Sequence, residues 1–199
     1  MHLRLLILDN YDSFTYNLAH TVAEVAEYVH IDVCRNDCIS ISEALNYDAL
    51  ILSPGPGLPT DAGIMPQLLY AGLGNMPILG VCLGLQAIGE AYGYRLKNLS
   101  QVYHGVQHSL LITDRRDPLL DVLPDVFLAG RYHSWVVDGQ YIPPNAALRV
   151  SCIDAQGEIM AMYDPLRPVF GVQFHPESVM TPLGHCIIKQ FIGIALGAK

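Results

Sequence analysis

Three short segments of the chain carry residue types that can do chemistry: GVCLG at 80–84, SPGPGLP at 53–59 and GVQFHPE at 171–177. In the first, Cys82 sits between glycines at the junction of an apolar run and a segment with helical spacing. G-x-C-x-G there is a nucleophile elbow with cysteine in place of serine. The glycines permit a sharp turn and close packing, and such a turn is expected to leave the Cys82 side chain exposed at the strand's C-terminal edge. The helix that follows aims its free N–H groups and positive end at the sulfur, which favours thiolate over thiol. A buried cysteine in a glycine-rich turn has the same pattern, so the motif alone leaves both readings open.

A cysteine nucleophile needs a base, and the base needs an orienting group. Of the eight histidines, His2, His20 and His30 fall on or beside early core elements, and His185 falls in a C-terminal helix. His104, His108 and His133 lie in turn-rich segments and stay open. His175 is the best candidate. It closes an apolar strand, Pro176 holds it extended, and period two puts Glu177 on the same side. A carboxylate beside imidazole selects its tautomer and stabilises the imidazolium. For an acyl-transfer oxyanion, Leu83 N–H is one donor, directly after the nucleophile at the helix start. The stiff, open-backboned SPGPGLP loop offers a second.

The elements that position these groups follow from periodicity. LRLLILDN reads as a buried strand, and residues 10–28 read as a helix with Ser13 as its N-cap and helical apolar spacing from Phe14 through Val29. HIDVCRND is a second strand, ISEALNY a short helix and DALILSPGPG a third strand. Residues 61–74 are helical, and MPILGV is a fourth strand before the elbow helix. Alternating strands and helices imply a largely parallel central sheet flanked by helices, a flavodoxin- or Rossmann-like α/β fold. Ligands in such sheets collect beyond the carboxyl ends of the strands. That edge holds Asp9, Asn10, the 53–59 loop and Cys82. From about 96 to 172, short β-like pieces separated by Pro, Gly and Asp turns imply an antiparallel extension. GHCIIKQFIGIAL closes the chain as a helix.

At 199 residues with 51% hydrophobic and 15% charged content, residues 1–199 are expected to form a single domain. No apolar run approaches the ~18 residues of a membrane span, and the N-terminal segment lacks signal-peptide features. Five cysteines without a CxxC pair fit a reducing compartment, so a cytoplasmic location is expected. His30, Cys34 and Cys38 do not share a helical face, and no metal site is expected. A net charge of −8 argues against a nucleic-acid partner.

LILDNYDSFTYNL, LSPGPGLPTDAG, ILGVCLGLQAIGEAYG, GRYHSWVV and VFGVQFHPES occur in order and at family-like spacing. Together they resemble the class I glutamine amidotransferases, over essentially the whole chain. The NYDSFTYN opening is most similar to the chorismate-using pair, the small subunit of anthranilate synthase and the amidotransferase of aminodeoxychorismate synthase. The resemblance implies Cys82 as nucleophile toward L-glutamine, His175 as base and then acid, and Glu177 as its orienting partner. It implies an oxyanion hole from the Gly57 and Leu83 N–H groups. Glutamine would be held by Gly55, Pro56, Gly57, Gln86 and the Ser134–Trp135 backbone. The implied partner is a chorismate-using synthase subunit: anthranilate synthase component I or aminodeoxychorismate synthase component I. Mg²⁺ is expected on that partner, with no cofactor in this chain. Two positions depart from the family pattern: Trp135 where leucine is usual, and Val106 after His104–Gly105 where lysine is usual, in a segment associated with partner contact. A cysteine hydrolase or peptidase, or a non-catalytic flavodoxin-like module, are the alternatives from other classes.

Overall fold

In the computed structural model, which describes residues 3–197, β1 (Leu3–Asp9) is the seed of the sheet. Leu5 and Ile7 face one side, Leu6 and Leu8 the other, and all four are fully buried. A strand apolar on both faces must be covered on both, and this sheet is parallel where that holds. β2 (Val29–Arg35) and β3 (Ala49–Leu52) flank β1 in parallel, and β4 (Ile78–Val81) follows β3. The next neighbour comes from far along the chain: β11 (Val169–Val172) lies parallel to β4 with Val81 opposite Val172. Beyond it the sheet turns antiparallel through β10 (Ile159–Tyr163), β9 (Arg149–Ile153), β6 (Val106–Ile112) and β7 (Val126–Arg131). The order is β2-β1-β3-β4-β11-β10-β9-β6-β7. β5 (Leu96–Asn98) and β8 (Trp135–Val137) form a separate antiparallel pair.

Two apolar layers cover the sheet. On one face Leu18 and Val22 of α1 (Thr15–Val25) and Ile187, Ile188 and Phe191 of α5 (Gly184–Gly197) pack on Leu5, Ile7, Phe170 and Val172. On the other, α3 (Met65–Gly72) and α4 (Leu83–Ala91) bury Met65, Leu68, Leu69, Leu85 and Ile88 against Leu6, Leu8, Leu50 and Leu52. A four-residue helix, α2 (Ile41–Ala44), starts from a capping box between Ser40 and Glu43. Burial of each such leucine or isoleucine is worth about 1.5–3 kcal/mol, so these layers hold the strand ends where they are. The parallel sheet with an antiparallel extension is the architecture the sequence implies, with one difference: β11, in the stretch read as antiparallel, lies parallel to β4 and antiparallel only to β10.

Helix limits differ from expectation in physical detail. Ser13 does not cap α1; the residue before the helix is Phe14, with no side-chain cap. Two aspartates take that role instead. Asp9 Oδ1 accepts from Tyr11 N, Asp12 N and Thr15 Oγ1, and Asp12 Oδ2 accepts from Phe14 N. The helix also stops at Val25, and Val29 begins β2. Residues 61–74 split into a 3₁₀ turn, Pro59–Asp61, and α3. Among the described residues, no helix is long and apolar enough to cross a membrane. His2 lies outside the described residues.

Candidate active site

Cys82 occupies the bend between β4 and α4 at φ 53° and ψ −101°, a left-handed conformation that costs a non-glycine residue on the order of 1–3 kcal/mol. The surroundings enforce it. Cys82 N donates to Val172 O at 2.8 Å, extending the β4–β11 ladder by one rung, while its own carbonyl accepts from Gln86 N at 3.1 Å to start the helix. A side chain at Gly84 would come within 2.5 Å of Leu52 O, and one at Gly80 would overlap Gly84. The helix therefore packs directly on the strand ends. Cys82 is not exposed, as the elbow alone suggests; it is 5% accessible and forms part of the wall of a cavity of about 270 Å³.

His175 follows the neighbouring strand β11. Its backbone N–H donates to Gly130 O (3.1 Å), and its carbonyl accepts from Thr181 Oγ1 (2.6 Å), which in turn accepts from Gly130 N (3.0 Å). His175 Nδ1 and Glu177 Oε1 lie 2.7 Å apart, both side chains buried. Nε2 of the same ring and Glu177 Oε2 have no hydrogen-bond partner. Burial by itself would push the imidazole toward neutrality, but the adjacent Cys82 sulfur and the Glu177 carboxylate outweigh it and hold His175 well above the ordinary histidine range. Phe14 and Tyr132 wall the ring, with centroids 6.1 and 4.8 Å from it. Asp12 lies close enough to feel the pair; burial raises its carboxyl, and the His175 charge opposes the rise.

The SPGPG loop reaches the same edge because Asn10 clamps it. Asn10 N donates to Ser53 Oγ and Asn10 Nδ2 to Ser53 O, both at 2.9 Å. A side chain at Gly55 would strike Asn10 O at 2.5 Å and Leu83 Cδ2 at 2.9 Å, and Gly57 has φ +75°. Glycine is thus required at both positions. The cavity brings together Gly55, Pro56, Gly57, Cys82, Gln86, Ser134 and Trp135. Leu83, at the first turn of α4, is behind them and 1% accessible.

One expected contact is narrowed. Trp135 O already accepts from Gln86 Nε2 (2.9 Å) and from His133 Nδ1 (3.1 Å), so both its lone pairs are taken. A ligand here meets Ser134 rather than the Trp135 carbonyl. Gln86 has committed its amide hydrogens to Trp135 O and to Gln173 Oε1 (3.3 Å), which leaves its Oε1 to accept from a ligand.

Sequence reasoning missed two groups. Gln173, fully buried, donates from Nε2 to Cys82 Sγ at 3.4 Å; period two through GVQFHPE already places it on the face of His175. Arg131, also fully buried, pairs with Asp154 (2.6 Å), donates to His133 Nε2 (3.1 Å) and lies over the Tyr103 ring. No spacing signal links these four. Of the open histidines, His133 is a cavity-wall residue whose pKa burial and Arg131 push down to about 3, so it is neutral. His104 lies at the cavity mouth, and His108 faces Arg131.

The profile of the family "Glutamine amidotransferase class-I" matches residues 6–194. Anthranilate synthase component 2 of Saccharolobus solfataricus is 44% identical over 195 residues, covering 94% of this chain and 96% of that one. The protein of the same name from Lactococcus lactis is 43% identical over 189 residues, covering 94% and 93%. Bifunctional protein TrpGD of Thermotoga maritima is 39% identical over 193 residues, 96% of this chain; the chain spans about a third, 32%, of that relative. A solved Thermoplasma acidophilum structure, described as that of a GMP synthase subunit, superposes with a TM-score of 0.86, covering 98% of this chain and 95% of its own at 24% identity. That last likeness is one of fold.

Proposed function

The chain belongs to the class I glutamine amidotransferases, and from that membership we propose that it is the glutaminase subunit of a two-chain enzyme. It hydrolyses L-glutamine at Cys82 and passes ammonia to a chorismate-using synthase subunit that makes anthranilate. The observation that carries the chemistry is the buried His175–Glu177 pair at 2.7 Å, with Nε2 left unpartnered beside Cys82. A structural histidine would have both nitrogens satisfied.

The Cys82 thiolate adds to the side-chain amide carbon of glutamine. The N–H groups of Leu83 and Gly57 receive the oxyanion, one such donor being worth about 2.7–4 kcal/mol in the transition state. His175 passes a proton to the departing nitrogen, the C–N bond breaks, and ammonia leaves a glutamyl thioester on Cys82. A water then loses its proton to His175 as it attacks the thioester, and glutamate and the thiolate are released. Glu177 orients the ring and stabilises the imidazolium throughout. Gly55 and Pro56 form the wall along the substrate, Gln86 Oε1 accepts from it, and Ser134, with Trp135 behind it, closes the far side. None of these steps calls on a cofactor, and Mg²⁺ belongs to the chorismate chemistry of the partner.

Ammonia set free in neutral water is protonated and loses its nucleophilicity, so direct delivery to a partner makes chemical sense. The relatives named anthranilate synthase component 2 support a component I partner and a role in tryptophan biosynthesis. The 102–106 segment, with Val102 exposed and His104 at the cavity mouth, borders the site where such a partner would sit. The test is glutaminase activity of the isolated chain, then with anthranilate synthase component I and chorismate. Weak activity alone and strong stimulation in the complex are expected. Indifference to component I overturns the assignment; stimulation by aminodeoxychorismate synthase component I instead moves the chain to folate biosynthesis.

A further inference from the structure

Beyond the three residues given chemical roles, Gln173 also reaches the cysteine sulfur, and its orientation is fixed from a distance. The chain of contacts begins at the buried Arg131–Asp154 pair. Arginine can only donate, so the 3.1 Å contact from Arg131 Nε makes His133 Nε2 an acceptor. The neutral ring then carries its proton on Nδ1, which donates to Trp135 O. That carbonyl can only accept, so the nearby Gln86 amide must face it with its nitrogen, at 2.9 Å. The second hydrogen of that nitrogen goes to Gln173 Oε1. Gln173 is thereby turned so that its own nitrogen faces Cys82 Sγ at 3.4 Å. Amide orientation is ordinarily ambiguous; here the Trp135 carbonyl fixes that of Gln86, and Gln86 in turn fixes that of Gln173, while Arg131 and His133 hold the carbonyl in place.

We propose that Gln173 is a positioning residue that holds the Cys82 sulfur in its reactive rotamer by N–H donation, with its amide polarity set by a relay from the Trp135 carbonyl through Gln86, braced by His133 and Arg131. An N–H directed at sulfur favours the negatively charged form, as charge-assisted hydrogen bonds do. The register explains why this residue and no other can do so. Val172 lies opposite Val81, so Gln173 stands one step on, opposite the nucleophile, while His175 stands two residues further along the same face. The charged group that faces the sulfur is His175, which is itself coupled to Glu177 in the same segment after β11 and to Asp12 in the turn before α1. Gln173 adds a donor that does not titrate. Because Gln86 also faces the cavity, the relay ties the substrate wall to the nucleophile.

The inference rests on Cys82 being the nucleophile, and the two fail separately. Gln173→Met keeps the volume and removes the donor; Gln173→Glu keeps the shape and sets a carboxylate against the sulfur. Iodoacetamide alkylation of Cys82, resolved from the other cysteines by peptide mass spectrometry across pH, reads the sulfur directly. Both variants are expected to alkylate about tenfold more slowly at pH 7 than the unmodified chain. Glutaminase kcat in the complex should fall by a similar factor with KM for glutamine within about twofold, while ammonia-dependent synthesis, which reports folding and docking, is retained. Alkylation profiles of either folded variant that superimpose on that of the unmodified chain overturn the proposal. Retention of full glutaminase activity in Cys82→Ala would instead remove the underlying assignment.

Discussion

Cys82 and His175 illustrate how far single residues could be read. The G-x-C-x-G pattern located the bend, and alternation through GVQFHPE located His175 and Glu177, which are in contact at 2.7 Å. What alternation could not say is that Gln173 reaches the sulfur, because that depends on β11 pairing with β4 across almost half the chain. Arg131 and Asp154 were invisible for the same reason: their pairing is set by the antiparallel strands, whose partners no local spacing specifies. At His175 the Cys82 sulfur and the Glu177 carboxylate hold the ring charged against burial. Replacing Glu177 with Gln removes one of these, so the imidazolium loses its proton at lower pH. The basic limb of the kcat/KM profile should therefore move to lower pH in Glu177→Gln. Loss of kcat should be on the order of 10²-fold, smaller than the order of 10⁴-fold or more for His175→Ala. An unmoved limb, or the reverse order of losses, would deny Glu177 its helper role.

Strands and helices were legible where the pattern was strong: β1, β3, β4 and the elbow helix fall where periodicity puts them, whereas β11, inside the stretch read as antiparallel, joins the parallel half beside β4. Helix ends were not, because caps depend on side chains brought in from outside the local sequence. Asp9, at the end of β1, satisfies three donors at the entry to α1 and displaces the role expected of Ser13. Close packing at helix starts likewise shows only in three dimensions. A side chain at Gly184, the first residue of α5, would overlap Pro176 O, whereas Gly193 in the same helix has nothing within 4 Å of that position. Gly184→Ala is expected to push on the His175–Glu177 segment, lowering stability by about 1–3 kcal/mol and glutaminase activity with it. Gly193→Ala, on the exposed face, should instead gain about 0.5–1 kcal/mol from helix propensity. Chemical denaturation of the pair checks this; equal effects would mean that the contact at Pro176 does not constrain the helix.

The fold as a whole places a buried carboxyl far from the cavity. Asp117 is fully buried, accepts from Ser151 Oγ at 2.6 Å and from Leu119 N at 2.9 Å, and is raised by burial to about 6. An unfolded aspartate titrates near 3.9. Between these values the native chain holds a proton that the unfolded chain has lost, so this residue's contribution to stability falls as pH rises from about 4 to 6. Asp117→Asn removes the charge, keeps its oxygen on Leu119 N and reverses the other contact, the amide N–H donating to Ser151 Oγ. It should be more stable than the parent at pH 7.5, by on the order of 2 kcal/mol, with the difference closing toward pH 4; thermal unfolding at the two pH values measures it, and a constant difference would refute it. At the same level, the sheet brings the ends of β1, β3, β4 and β11 to one edge, and the chemistry assigned to that edge is most directly tested in the assembled enzyme. Cys82→Ala, combined with chorismate and the synthase component, should lose glutamine-dependent synthesis while ammonia supplied at high pH still supports product formation. Equal loss with both nitrogen donors, or glutamine-dependent synthesis that persists, would contradict the role of Cys82 as the nucleophile.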